Sequence, residues 1–311
     1  MIDRFLPPEL PAARIMARVG LISDTHMPAR CAMLPPVLFD VLRGVDLLLH
    51  AGDVGELWVL DALSAIAPVI AVHGNDETAE AQRELPYQQV IAVGGKHILL
   101  THAHYPDRAA EMASRTDDAW LPKLARRAAM GRQAGAQIVV FGHTHIPMAV
   151  EHEGVLLINP GALACPNLES RQRVQSVAIL SIRDDGAPFV THIDLARPDQ
   201  PFVPRIDWAA GFRAAHQQFG QSILAPDLAS DFPRLAATIQ CAAPDNGWEP
   251  YLRLAHRCWS GTQAVITRAE LLDAFQEDTD IPADAKMEIR AALTSSALPV
   301  REGGHPQSGR E

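Results

Sequence analysis

Residues 18–26 read Arg-Val-Gly-Leu-Ile-Ser-Asp-Thr-His, a short apolar run that stops at a carboxylate, with an imidazole two positions further on. The run suits one buried strand, so Asp24 and His26 fall in the polar loop at its exit. The same pattern returns along the chain. Residues 45–49 lead into His50-Ala51-Gly52-Asp53, and residues 69–72 into His73-Gly74-Asn75. Residues 96–100 precede Thr101-His102-Ala103-His104, and residues 138–141 precede Gly142-His143-Thr144-His145. Between these runs lie stretches with helical spacing at 34–42, 57–66 and 119–134, the last with Trp120, Leu121, Leu124 and Ala128 on one face. Strands alternating with helices imply crossover units, whose loops gather at the carboxyl edge of a sheet, where ligands bind.

Other strands pair locally. Gly94-Gly95 between 89–93 and 96–100 is a two-residue hairpin signal. Glu153-Gly154 and Asp184-Asp185-Gly186 join two further pairs, 148–151 with 155–158 and 176–182 with 189–193. The expected architecture is α/β, a mixed sheet or two-sheet sandwich wrapped by helices. After Ala196-Arg197-Pro198-Asp199-Gln200-Pro201 the strand-like runs give way to helical patterns at 209–219, 251–258, 268–275 and 285–293. Thr267 with Glu270 three residues later forms a capping box for the third of these. The expected organisation is an N-terminal segment (1–16), an α/β domain (17–197), a helical module (198–300) and a disordered, glycine-rich tail (301–311).

Composition narrows the function. With 48% hydrophobic and 21% charged residues the chain is an ordinary globular protein, and a net charge of -10 argues against broad attraction to a nucleic-acid backbone. Four cysteines without a C-x-x-C pair offer neither a zinc ribbon nor a redox dithiol. The N-terminus carries an acid and prolines where a signal peptide needs basic and apolar residues, and no run approaches the roughly 18 apolar residues of a spanning helix. A cytoplasmic location without a membrane partner is expected.

The five strand exits together supply enough oxygen and nitrogen donors for two metal ions. A two-metal site needs a donor shared by ions roughly 3.5–4 Å apart, and Asp53 is the natural bridge. Asp24 and His26 can close on one ion, Asn75 offers a carbonyl oxygen, and His102, His143 and His145 supply nitrogens. That mixture suits Mn, Fe, Zn or Ni better than Ca, with Mn the first expectation.

Asp24-x-His26, Gly52-Asp53, Gly74-Asn75, His102 and Gly142-His143-x-His145 resemble the calcineurin-like metallophosphoesterase superfamily. Thr144-His145-Ile146-Pro147 and Ile158-Asn159-Pro160-Gly161 extend the likeness to small bacterial and archaeal phosphodiesterases related to the retromer's metallophosphoesterase-fold subunit. It covers roughly residues 16–195. The resemblance implies a four-layer αββα sandwich, to which this chain adds its helical C-terminal extension. It assigns Asp24, His26, Asp53 and His145 to a first metal and Asp53, Asn75, His102 and His143 to a second, with 159–161 as a structural turn. It implies hydrolysis of phosphate esters by in-line attack of a metal-bridging hydroxide. Two dications against Asp24, Asp53 and one hydroxide leave about one positive charge, which matches a phosphodiester.

Many relatives carry a histidine directly after the metal-binding asparagine to protonate the leaving group, and here that position is Asp76. His104, two residues beyond His102, is the substitute donor, with an outer-layer histidine as the alternative. The expected substrates are small-molecule or nucleotide phosphoesters, above all diesters with good leaving groups. Arg30 and Arg108 are candidates for phosphate contact, and the helical module for lid, partner or homo-oligomer contact. The competing expectation is a non-catalytic scaffold of the same fold that binds protein partners.

Overall fold

The computed structural model of the chain describes residues 14–295. The tail at 301–311 and most of the N-terminal segment lie outside the described residues. The chain divides into two compact units between Gln221 and Ser222.

The first unit is built on two five-stranded sheets. In one, β1 (Ile15–Ile22), β2 (Leu47–His50) and β3 (Val69–Ala71) run parallel. In the other, β4 (Gln88–Val93) pairs antiparallel with β5 (Lys96–Thr101), which runs parallel to β6 (Ile138–Phe141). The antiparallel pair β7 (Met148–His152) and β8 (Val155–Asn159) completes it, with β8 parallel to β6. A short β9 (Ser170–Gln172) precedes β10 (Ser176–Arg183) and β11 (Pro188–Asp194), which extend the first sheet antiparallel beside β1.

Period-2 alternation sorts the strand side chains into layers. Val19, Leu21, Leu49, Ile98, Leu100, Ile138, Val140, Ile158 and Leu180 meet between the sheets, where all are fully buried or nearly so. Their neighbours Ile22, Leu48 and Ile179 face the opposite way, toward α1 (Val37–Val41) and α2 (Trp58–Ser64), whose Leu38, Val41, Val59 and Leu63 pack on them. Val139, Phe141 and Leu157 face Trp120, Leu124 and Ala128. The layers are therefore αββα.

Two other short helices, α3 (Ala79–Glu84) and α4 (Arg108–Thr116), sit in loops that the hydrophobic pattern does not mark. The helix α5 (Trp120–Gln133) differs from expectation in one side chain. Trp120, Leu124 and Ala128, four apart, point inward, whereas Leu121 lies about 100° around the helix and is 66% exposed.

The first unit also runs past the texture change at 197. Phe202, Ile206 and the Phe212, Ala215 and Phe219 side chains of α6 (Phe212–Phe219) pack on Trp120 and Phe141, so this stretch completes the core of the second sheet's outer face. A short β12 (Gly220–Ser222) pairs with β9, although no strand is expected after 197.

The second unit is helical: α7 (Pro226–Ala242), α8 (Glu249–Trp259), α9 (Arg268–Glu277) and α10 (Ala283–Thr294). Its core gathers Leu228, Phe232, Leu235, Ile239, Leu254, Leu271, Phe275 and Ile289, all buried. Thr267 caps α9, accepting from the Glu270 N–H while Glu270 accepts from the Thr267 N–H. Arg268 pairs with Asp227 and Asp231 at 3.2 and 2.6 Å, tying α9 to α7.

Candidate metal centre

The strand exits of the first unit converge. Past the end of β1 the chain keeps step with the loop after β2: the N–H groups of Asp24, His26 and Met27 donate to Gly52, Asp53 and Val54 at 3.0, 3.0 and 3.1 Å. The strand-exit loops carry unusual backbone. Asp24, His26, Asp53, Ala103, His143 and His145 all have positive φ, between 44° and 70°. For non-glycine residues the left-handed region costs roughly 1–2 kcal/mol each, so such clustering marks a place where geometry is held against local preference.

Glycines make room for the approach. A Cβ on Gly74 would collide with the Asp53 carboxylate, and one on Gly142 would collide with the Ser23 hydroxyl and come within 2.8 Å of the Ala51 carbonyl. Glu77 stitches two of the loops, accepting from the N–H groups of Val54, Gly55 and Gly74 at 2.8, 2.8 and 3.1 Å. Burial raises its carboxyl above the usual range despite those three bonds.

Asp24, His26, Asp53, His102 and His145 are all buried and their donor atoms face one another. Two sets, Asp24 with His26 and His145, and Asp24 with Asp53 and His102, each offer three ligand atoms within 4.8 Å of one another. Asp24 is common to both sets, whereas Asp53, the expected bridge, belongs to the second. His145 Nε2 lies 3.1 Å from Asp24 Oδ1, and His26 Nε2 and His102 Nε2 lie 3.5 and 3.1 Å from the same Asp53 Oδ2.

The far sides of the rings show which nitrogen each imidazole keeps for the centre. His102 Nδ1 donates to the Ala51 carbonyl at 2.8 Å, and His145 Nδ1 to Ala164 at 3.1 Å. His26 Nε2 and His102 Nε2 are buried and make no aligned hydrogen bond. Buried ring nitrogens turned toward two carboxylates, with the opposite nitrogen fixed by a backbone carbonyl, are the arrangement that divalent metals need, and these residues fit one.

Electrostatics agree with a cation-binding centre. Burial alone would raise Asp24 and Asp53, but the imidazoles of His145 and His102 beside them hold both well below the usual carboxylate range. Burial likewise pushes His102 down, and the carboxylates of Asp53 and Asp24 outweigh it, raising His102 to about 9. Burial dominates at His26, which is lowered to about 3. His143 is lowered by burial against the pull of Glu111.

The other expected residues divide. The His143 N–H donates to both oxygens of Asp24 at 3.2 and 3.1 Å, and its ring lies 5.1 Å from that of His102. Asn75 is exposed, in the loop between Gly74 and Asp76 that touches Asp53, where the Asp76 N–H donates to Asp53 Oδ1 at 2.8 Å. The Asp76 carboxylate pairs with Arg30 and stands 3.6 Å from His26 Nδ1. Arg108 is exposed.

His104 sits behind the centre, with its ring 5.6 Å from His102 and 5.1 Å from Tyr87. Burial, then the charges of His102 and His143, lower it to about 4, so at neutral pH it is neutral and not the imidazolium donor that an ordinary imidazole would provide. Tyr87 and Arg126 bond its carbonyl at 2.9 Å each, which fixes the 101–104 loop.

Asn159 pins the loop of His143 and His145. Its Nδ2 donates to the Gly142 carbonyl and Thr144 Oγ1 at 2.9 and 3.1 Å, and its Oδ1 accepts from the Gly161 N–H at 2.8 Å. Asn159→Ala strands those partners in a fully buried site, so unfolding by urea should show a loss of roughly 2–4 kcal/mol. An unchanged midpoint would mean that the loop holds itself.

Fold and donor set together describe a metal-dependent phosphoesterase. Residues 17–185, more than half of the chain, match the calcineurin-like phosphoesterase superfamily domain, and the chain belongs to that superfamily. A probable metallophosphoesterase of Methanothermobacter thermautotrophicus is 33% identical over 168 residues, 54% of this chain and 86% of the relative. One of Methanocaldococcus jannaschii is 32% identical over 168 residues, 53% of this chain and 76% of the relative. Among solved structures, zinc-complexed Vps29 of Entamoeba histolytica is 26% identical, covering 57% of this chain and 99% of that one with a TM-score of 0.42. The family match ends before the helical second unit. No helix among the described residues is long and apolar enough to cross a membrane.

Proposed function

We propose that the first unit is a dinuclear phosphodiesterase. The observation that carries this is the position of Asp53 Oδ2, faced by His26 Nε2 at 3.5 Å and His102 Nε2 at 3.1 Å, so that one carboxylate serves two donor groups. Asp24, His26, Asp53 and His145 would hold one divalent ion, and Asp53, Asn75, His102 and His143 the other. Manganese is the first expectation, with iron, zinc or nickel as alternatives. Bound there, the pair supplies a nucleophilic water at neutral pH and polarises the phosphoryl oxygens.

The chain's own residues then set the substrate. Asp24 and Asp53 cancel part of the ionic charge, which leaves a centre suited to the single charge of a diester. Arg30, paired with Asp76, would meet a phosphoryl oxygen. Asp76 is occupied by that ion pair and His104 is neutral at neutral pH, so neither offers a ready proton to a departing alkoxide. The substrates are therefore diesters whose leaving groups need little protonation, such as aryl or cyclic phosphates.

The test is metal analysis with a panel of phosphate esters on the manganese-loaded chain. Faster turnover of aryl diesters than of alkyl diesters or monoesters supports the proposal. Equal rates on activated and unactivated diesters would point to an unrecognised general acid, and two bound ions without any hydrolysis to a scaffold.

A further inference from the structure

His143 meets one carboxylate that the strand-exit pattern does not contain. Its Nε2 lies 2.7 Å from Glu111 Oε1, with His143 and Glu111 side chains only 14% and 13% exposed. Glu111 is itself fixed: Oε2 accepts from the Tyr105 N–H at 3.0 Å, and Oε1 accepts from Arg115 Nε at 2.7 Å. The helix that carries it, α4, buries none of its residues, so no apolar face places it. Polar bonds do. Asp107 accepts from the Ala110 N–H at the first turn, and Lys123 Nζ caps the last turn at the Ser114 and Asp117 carbonyls. An otherwise solvated helix thus presents one nearly buried acid to one imidazole.

An imidazole whose Nε2–H is given to a carboxylate keeps its lone pair on Nδ1. The His143 backbone is tied to the centre by its N–H bonds to Asp24, and its ring stands against that of His102. We infer that Glu111 is a positioning residue that fixes the Nε2–H tautomer and ring orientation of His143, so that Nδ1 serves as the metal donor. Ala51 and Ala164 do the equivalent work for His102 and His145 through Nδ1, which leaves Nε2 as their donor atom. His143 is therefore the inverted ligand of the set, and the only one of these three oriented by a charged side chain. A carboxylate partner also raises the basicity of a ligating ring.

This rests on the reading of His143 as a ligand, and the experiment separates the two. Manganese binding is measured by calorimetry and elemental analysis on the full chain with Glu111→Ala and Glu111→Gln. Ring ¹⁵N signals of His143 are recorded with and without zinc. Wild type is expected to show His143 as the Nε2–H tautomer. Glu111→Ala is expected to weaken the second ion by about 10–100-fold while sparing the first, and to mix the tautomers. Glu111→Gln retains an oxygen acceptor and is expected to recover most of the loss. Because α4 buries no side chain, circular dichroism should show both variants folded.

Wild-type affinity for both ions in Glu111→Ala overturns the inference, as does zinc bound at His143 Nε2. A wild-type chain that takes a single ion overturns the dinuclear reading instead. The inference then stands or falls on the tautomer, and an unchanged Nε2–H population in Glu111→Ala overturns it.

Discussion

Asp53→Asn is expected to lower phosphoester turnover of the metal-replete chain by about 10³-fold or more and to leave no more than one ion per chain. The substitution keeps shape. An amide oxygen at the Oδ1 position can still accept the Asp76 N–H, now bonded at 2.8 Å, so the loop that carries Asn75 has a reason to stay in place. Charge is what leaves. Oδ2, faced by His26 and His102, becomes either a neutral oxygen or an N–H donor pointed at two nitrogens, and neither form anchors two cations. In the metal-free chain the same change removes the main carboxylate that raises His102 to about 9. Elemental analysis and turnover of an aryl diester, measured on one preparation with wild-type thermal stability, decide the matter. Two ions with unaltered turnover would remove Asp53 from the chemistry.

How far the sequence reaches depends on whether a feature is local. Residues 138–141 form β6 as the apolar run predicts, and Gly94-Gly95 closes a hairpin whose Val93 and Lys96 face each other. The period of two along 19–22 and 138–141 sorts side chains between the sheet interface and the helix layers, which is why the four-layer architecture is legible. The ligand-type residues stand directly after those runs, and the parallel strands of each of the two sheets bring their exits to one edge of that sheet.

Features set by distant contacts are silent. Glu77 and Glu111 look like solvated acids in polar stretches, and only the fold reveals the three N–H groups bonded by the first and the imidazole met by the second. Arg30 and Asp76 are far apart in the chain and find each other only after folding. In the second unit, α7 hides behind Pro226 and an internal Pro233. Its buried Leu228, Asp231, Phe232, Leu235 and Ile239 nonetheless keep the helical repeat, so burial overrides the proline penalty. The compact first unit continues beyond the change of texture near 197, because a polar, proline-rich stretch says nothing about the Phe212 and Phe219 anchors that follow it.

Two buried histidines outside the donor set make the metal-free chain acid-sensitive at unusually mild pH. His50 Nε2 donates to Thr25 Oγ1 at 3.1 Å, the hydroxyl being committed to the Val54 carbonyl at 2.8 Å, and His192 Nε2 donates to the Asn159 carbonyl at 2.8 Å. Each ring is fully buried and neutral. Burial lowers both to about 4, against the opposing carboxylates of Asp24 and Asp53 at His50 and the carbonyl bond at His192. An unfolded chain binds these protons near pH 6.5, and the folded one only near 4. Their contribution to stability is therefore whole above pH 6.5 and disappears as the pH falls to 4, at about 3 kcal/mol for each ring. His26, lowered to about 3, acts in the same direction, while Asp24 and Asp53 add their loss only below the ordinary carboxylate range. His102 works the other way: its pairing stabilises fully below pH 6.5 and fades as the pH rises through about 9. Denaturant unfolding of the metal-free chain should thus show greatest stability near pH 6.5, a drop toward pH 4 of about 6 kcal/mol from His50 and His192 with His26 and His104 adding to it, and a smaller decline toward pH 9.5. Against a total of roughly 5–15 kcal/mol for a typical domain, the acid limb alone approaches global unfolding. A midpoint that stays level from pH 6.5 to 4.5 would mean that His50 and His192 take up protons in the folded state as readily as in the unfolded one.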